Sequence, residues 1–195
     1  MKWPWQAPHP DEWQQWLSSD DLNSLKAQQR HLSSPWQPQG LGLQALTLLA
    51  QTCSQWLLHH YPPSSTEWPD IARHCLSLPQ AVQPLSWLLE AGLDANLVLE
   101  GMPLCHHCLA QQPAERWALL LNRLQQYGAD LQAKTTTGED LLSQVLKQDQ
   151  RDCIRLLIEA GCPINEVSGA NPEALALAKR CQEDIRVRRL MLGQP

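Results

Sequence analysis

Apolar residues along this chain fall mostly at three- and four-residue intervals, and three times the pattern closes in the same way. Leu88-Leu89-Glu90-Ala91-Gly92-Leu93-Asp94-Ala95-Asn96, Leu124-Gln125-Gln126-Tyr127-Gly128-Ala129-Asp130-Leu131-Gln132 and Leu157-Ile158-Glu159-Ala160-Gly161-Cys162-Pro163-Ile164-Asn165 each read as the end of an amphipathic helix, a glycine stop and a polar turn. Glycine suits that place because the chain must take a positive φ just past the last helical carbonyls, where a Cβ would clash. The three glycines lie 36 and 33 residues apart. A new apolar run opens ten residues beyond Gln132, at Leu142, and ten beyond Asn165, at Leu175. Such self-similarity marks a solenoid, since a helix pair of this size can bury its apolar face only against a stacked neighbour. The expected fold class is all-α.

The unit resembles the ankyrin repeat, two helices and a β-turn over about 33 residues, whose first helix opens with T-P-L-H-x-A. Gly101-Met102-Pro103-Leu104-Cys105 comes nearest to that opening, and Leu131 to Gly161 is the cleanest whole repeat. The likeness is clear over residues 85–180, weak over 40–83 and absent before. Departures are local. Asn96 reaches Leu104 in eight residues, so that turn is clipped, while Pro103 to Gly128 takes 25 residues against 20 for Leu141 to Gly161, so the interhelical loop near Gln111-Gln112-Pro113-Ala114 is extended. The resemblance implies an ankyrin-type solenoid of stacked helix pairs with short β-turn-like loops.

Upstream the rhythm persists without the signature. Gln44 to Leu49 reads as a first helix, and Trp56 to Tyr61 as the end of a second with Tyr61 in the glycine's place. Trp68-Pro69-Asp70 opens the next helix, with proline at a tolerated early position. Pro10 to Leu17 and Asp20 to Leu32 form a further pair, with Asp11, Asp20 and Asp21 placed to cap helix starts. Leu32 to Gly40 is the best linker. This divides the chain into an N-terminal helical cap, 1–38, and an array over 39–195, with degenerate repeats 40–61 and 62–92 and clearer ones 93–128, 129–161 and 162–195.

Composition sharpens the picture in three places. Trp3, Trp5, Trp13, Trp16, Trp36, Trp56 and Trp68 are seven of the nine tryptophans and all precede residue 70. They are read as core and cap packing, with an exposed aromatic anchor at Trp13 and Trp16 as the alternative. A formal charge of −5 argues against nonspecific nucleic-acid binding. Residues 1–100 hold 4 Lys and Arg against 9 Asp and Glu, and 101–195 hold 11 against 11. The basic cluster Lys179, Arg180, Arg186, Arg188 and Arg189 is read as a soluble end cap. No apolar leader follows Met1-Lys2-Trp3, no stretch is apolar enough for a bilayer, and seven cysteines do not form a secreted disulfide pattern. The expected setting is a reducing cytoplasm without membrane contact.

Candidate chemistry is sparse. Cys105-His106-His107-Cys108 offers four zinc-ligand types in one helical turn, but adjacent side chains on a helix diverge, so core packing is expected, with neither metal nor cofactor. Gly40-Leu41-Gly42-Leu43-Gln44-Ala45 matches the letters of a dinucleotide fingerprint without the preceding strand. No nucleophile elbow, phosphate-binding lysine or metalloprotease helix is present, and the chain is read as no enzyme. The ankyrin resemblance implies instead that turn tips and outward first-helix positions bind a protein partner along a concave groove. Carried onto this chain, the tips are Leu97, Val98, Leu99 and Glu100, then Lys134, Thr135, Thr136 and Thr137, then Glu166, Val167 and Ser168; the helix positions are His106, Ser143, Gln144 and Lys147. Leu97 to Leu99 form a candidate apolar contact patch, with tucking against the neighbouring repeat as the alternative. A monomer or a heterocomplex is expected. The chain looks like a bacterial protein, and three classes follow: an immunity or antitoxin protein against a secreted effector, a scaffold or chaperone-like adaptor, and a zinc-binding sensor or enzyme using the Cys105–Cys108 segment.

Overall fold

A computed structural model describes residues 7–32, 34–165 and 169–193. They are mostly helical, and their only sheet is a two-stranded hairpin. The chain divides into two compact units, Met1–Leu93 and Asp94–Pro195.

Among the described residues of the first unit six α-helices alternate in two rows. α1 (Pro10–Ser18), α3 (Leu41–Thr47) and α5 (Trp68–Ser77) pack in series, and α2 (Leu22–Ala27), α4 (Gln51–His60) and α6 (Val82–Glu90) do the same beside them. Local chemistry starts the helices: His9 and Glu12 form a reciprocal capping box around α1, and the Asp21 carboxylate accepts from the Asn23 and Ser24 amides of α2. The second helix of that pair is shorter than its sequence predicts, since α2 stops at Ala27 and a 3-10 turn, Gln29–His31, follows.

Leu32 to Gly40 is no free linker. Trp36 is 3% exposed, its indole N–H donates to the Tyr61 carbonyl, and its ring lies so close to Gly42 that a Cβ there would collide with it. Burial of one large aromatic thus staples the segment to α3 and the end of α4. Trp13 is buried and Trp16 half-buried, edge to face at 5.3 Å, which supports the packing reading for Trp13. Trp3 and Trp5 lie outside the described residues. Tyr61 does not replace a glycine conformationally, because its φ is −132°.

The second unit starts with a hairpin of β1 (Val98–Leu99) and β2 (Met102–Pro103), pairing Val98 with Pro103 and Leu99 with Met102. Glu100 and Gly101 both have positive φ, +52° and +78°, as a two-residue type I′ turn requires. The helices are α7 (Leu104–Gln111), α8 (Trp117–Gln126), α9 (Leu141–Lys147), α10 (Arg151–Glu159) and α11 (Pro172–Met191). α7 packs on α8, α8 on α10, and α9 and α10 on α11. Trp117, Leu120, Leu121 and Leu124 form one buried stripe on α8 at helical spacing. The extended loop before it is closed by a 3-10 turn, Ala114–Arg116, and by the Trp117 indole donating to Gln112 O at 2.8 Å.

The three glycine-ended segments share one geometry. Leu93 N donates to Leu88 O at 2.9 Å, Ala129 N to Leu124 O at 3.0 Å and Cys162 N to Leu157 O at 3.0 Å. Each spans a glycine of φ +105°, +83° or +86°. This is the six-to-one bond of a Schellman cap, repeated in all three.

Candidate functional site

Consecutive turns of the second unit are stitched together by backbone and side-chain hydrogen bonds. Asn96 donates through Nδ2 to Gly128 O at 3.1 Å and accepts from Asp130 N at 2.7 Å. Gln132, its counterpart one repeat later, donates to Ala160 O at 3.3 Å. Thr136 N donates to Gly101 O at 3.3 Å, which sets the 135–138 turn beside the 98–103 hairpin. The second turn closes on itself, with Thr135 N donating to Glu139 O and Glu139 N to the Thr135 hydroxyl.

This stitching brings part of the expected binding surface together. Val98 is 56% exposed, and Glu100, Lys134, Thr136 and Thr137 on the two joined turns are exposed as well. Ser143 and Gln144 are half-buried on α9, and Lys147 is exposed at its end. Leu97 is half-buried. Glu166, Val167 and Ser168 lie outside the described residues.

Three expected contact residues turn inward. Leu99 is 2% exposed, because successive strand residues point to opposite faces and Val98 takes the outer one. An apolar patch of Leu97, Val98 and Leu99 is therefore reduced to Val98 with a partly covered Leu97. Thr135 is 8% exposed, its hydroxyl bonded within its own turn to Thr137 at 2.8 Å and Glu139. His106 is 1% exposed: its Nε2 lies 2.9 Å from Ala133 O, and since a carbonyl only accepts, that nitrogen carries the proton. Through Nε2 it is a stitch to the following turn, while its Nδ1 is buried without a hydrogen-bond partner.

The chain matches no protein-family model, no curated protein and no solved structure.

The neighbours of His106 in the Cys105–Cys108 segment are engaged by the fold. His107 Nε2 meets Leu99 O at 2.9 Å, away from His106's partner, and Cys105 and Cys108 are buried. No cluster of three metal-ligating side chains occurs among the described residues. Burial pushes the Cys105, Cys153 and Cys162 thiols up to about 11 and, with the Asp20 carboxylate beside it, Cys53 to about 12. Burial alone raises Cys75 as well. Thiols so shifted stay protonated and make poor nucleophiles.

Carboxylates cap helices. Asp20 accepts from Thr52 N and Cys53 N, both at 2.9 Å, at the start of α4. Asp140 accepts from Ser143 N at 2.7 Å and from Asn165 Nδ2 at 3.0 Å. Desolvation pulls upward on both carboxyls, but these hydrogen bonds outweigh it and hold them below the usual aspartate value.

One surface was not anticipated from the sequence. Ile158, Cys162 and Pro163 at the end of α10 line a groove of about 540 Å³ with Ile185, Arg186, Arg189 and Leu190 of α11. The signal was present in Leu190-Met191-Leu192, an apolar triplet directly after Arg188-Arg189, which a solvated end cap does not need.

Proposed function

We propose that this chain is a noncatalytic protein-binding module, a solenoid of ankyrin-like helix pairs that captures a protein partner through neighbouring turn tips. The observation that carries the reading is the Thr136 N to Gly101 O bond, which sets two turns side by side with Val98, Glu100, Lys134, Thr136 and Thr137 exposed on them. Neighbouring turns that present polar tips and one exposed aliphatic side chain offer the extended kind of surface that stacked repeats use for recognition. The common Schellman caps, the serial packing of alternate helices in the first unit and the α8–α10 and α9–α11 packing in the second support the repeat reading. The absence of catalysis is supported by thiols held protonated and aspartates committed to caps. Seven unbridged cysteines fit a reducing cytoplasm. Among the described residues, no helix is long and apolar enough to cross a membrane.

The test is quantitative affinity capture from native cells with the wild type and with a Val98→Asp/Lys134→Glu double variant. Both side chains are exposed, so the thermal midpoint should hold within the usual range for surface changes, about 0.5 kcal/mol in stability. A specific partner recovered at least tenfold less with the variant is the expected result. Equal recovery would remove the turn tips from the reading. The captured protein's identity then separates an immunity role, with a toxin bound, from an adaptor role, with an assembly component bound.

A further inference from the structure

At the C-terminal end of the second unit the last helix outruns its support. α11 has 20 residues and α10 has nine, and on α11 only Ala174 and Ala178 are buried. Beyond Ala178 only Cys181 and Ile185 are half-buried, and the other described side chains of the helix are exposed. Leu190 is 68% exposed, Met191 83% and Leu192 66%, an apolar run that a solvated helix end gains nothing by displaying. Between that helix and the end of α10 lies the groove of about 540 Å³. Ile158 and Cys162, 5% and 6% exposed, form its floor, and Ile185 and Leu190 flank them. Arg186 and Arg189, one helical turn apart, stand on the same groove, Arg186 in an exposed 3.6 Å ion pair with Glu183 that a partner carboxylate would have to displace or share. Residues 179–190 carry five cations against two carboxylates in a chain of net charge −5, so this end is oppositely charged to the whole.

We propose that this groove docks an acidic amphipathic helix of a protein partner, with aliphatic side chains on Ile158, Cys162, Ile185 and Leu190 and carboxylates on Arg186 and Arg189. A helix laid into an apolar groove supplies both kinds of contact along one edge, and arginine presents paired donors to carboxylates. Charge decides between occupants. A second copy bound face to face about a two-fold axis would bring the arginine cluster against its own image, and such like-charge contact is unfavourable. A flat anionic bilayer would meet the arginines and leave the recessed Ile158 and Cys162 uncovered. The surface is separate from the turn tips of the proposed function and stands or falls independently.

The experiment titrates the full chain into a fluorescein-labelled 18-residue helical peptide with leucines three and four apart and glutamates flanking them, read by fluorescence anisotropy. A second peptide carries lysine for every glutamate. The expected result is at least tenfold tighter binding of the acidic peptide, weakening at least threefold between 50 and 300 mM NaCl as exposed ion pairs are screened. Arg186→Glu/Arg189→Glu and, separately, Leu190→Asp should each lose at least tenfold while circular dichroism is unchanged. Val98→Asp/Lys134→Glu should bind the acidic peptide like the wild type. Equal affinity for both peptides, wild-type binding by the arginine variant, or no binding at 1 mM peptide would overturn the proposal. So would a dimer in sedimentation that Leu190→Asp abolishes, or binding to phosphatidylserine vesicles that the acidic peptide does not compete.

Discussion

Gly101 is held by two constraints at once. Its φ is +78°, and an added Cβ would lie 2.9 Å from Thr136 Cγ2, whereas Gly128 has φ +83° and nothing within 4 Å of the same position. Alanine at each site separates backbone strain from turn stacking. Gly128→Ala should cost about 1 kcal/mol from the left-handed conformation alone, and Gly101→Ala about 2 kcal/mol, because Thr136 must also move. Urea denaturation of the two variants measures the difference, and equal losses would show that the turns meet without constraint. Asp20 acts at longer range, capping α4 from the end of α1 across 32 residues of sequence. Its carboxyl is depressed in the fold, so its stabilisation is complete above the unfolded value of about 3.9 and is lost as pH falls through the lower folded value. Asp20→Ala should cost about 1 kcal/mol at pH 5 to 7, the usual worth of a cap. That gap in urea midpoint should narrow below about pH 4, and a gap independent of pH would assign the loss to packing.

At the level of the element, the helix ends that close on a left-handed residue fall into two chemistries. The second helices that end at Gly92, Gly128 and Gly161 use glycine in the left-handed position, but α1, α3 and α9 place Asp20, Leu49 and Asp149 there, with φ of +52°, +55° and +50°. Ala50 N still donates to Ala45 O at 2.9 Å and Gln150 N to Val145 O at 3.3 Å, so the same cap forms with a side chain in an unfavourable backbone region. Asp20 uses the strained position to reach α4, which gives that residue a purpose. Asp149 has only a 3.7 Å ion pair with exposed Arg151, and its Oδ1 is buried without a partner. Asp149→Gly should therefore stabilise the fold, by about 0.5–1 kcal/mol in thermal or urea unfolding, since the lost surface pair is worth little. A destabilised variant would mean the carboxylate has a role in the turn before α10.

For the whole molecule, cysteine burial is the property that a single measurement reads across both units. Six of the seven thiols are buried and Cys181 is half-buried. Iodoacetamide at neutral pH should modify Cys181 alone in the native protein, seen as one added mass, and all seven once denaturant is present. Rapid labelling at Cys105 or Cys108 without denaturant would reopen the zinc reading, because ligation needs those sulfurs accessible as thiolates. Charge also differs along the chain, with 9 acidic against 4 basic residues up to position 100 and 11 against 11 beyond it. Five of the eleven basic residues in that second stretch lie on α11 between 179 and 189, the local charge on which the proposed acidic partner rests.

What the sequence determined by itself is what depends on few neighbouring residues. Helix character, the positions of the three glycine stops and the cap at Asp21 were legible, because each rests on hydrogen bonds spanning at most six residues, whereas α1 is capped by His9 and not by the expected Asp11, which lies inside its first turn. The tertiary structure alone decided which face of a local element is inner. Leu99 and Val98 are adjacent and equally apolar, yet hairpin register buries one and exposes the other. His106 was expected outside and is drawn in by a carbonyl 27 residues away, and Trp36 turned an expected linker into a packed turn by reaching Tyr61, 25 residues on. The groove beside α11 likewise needs the end of α10 to form its floor. Caps and stops are local energies, whereas burial is decided by whichever distant segment packs alongside, and no window of sequence contains that segment.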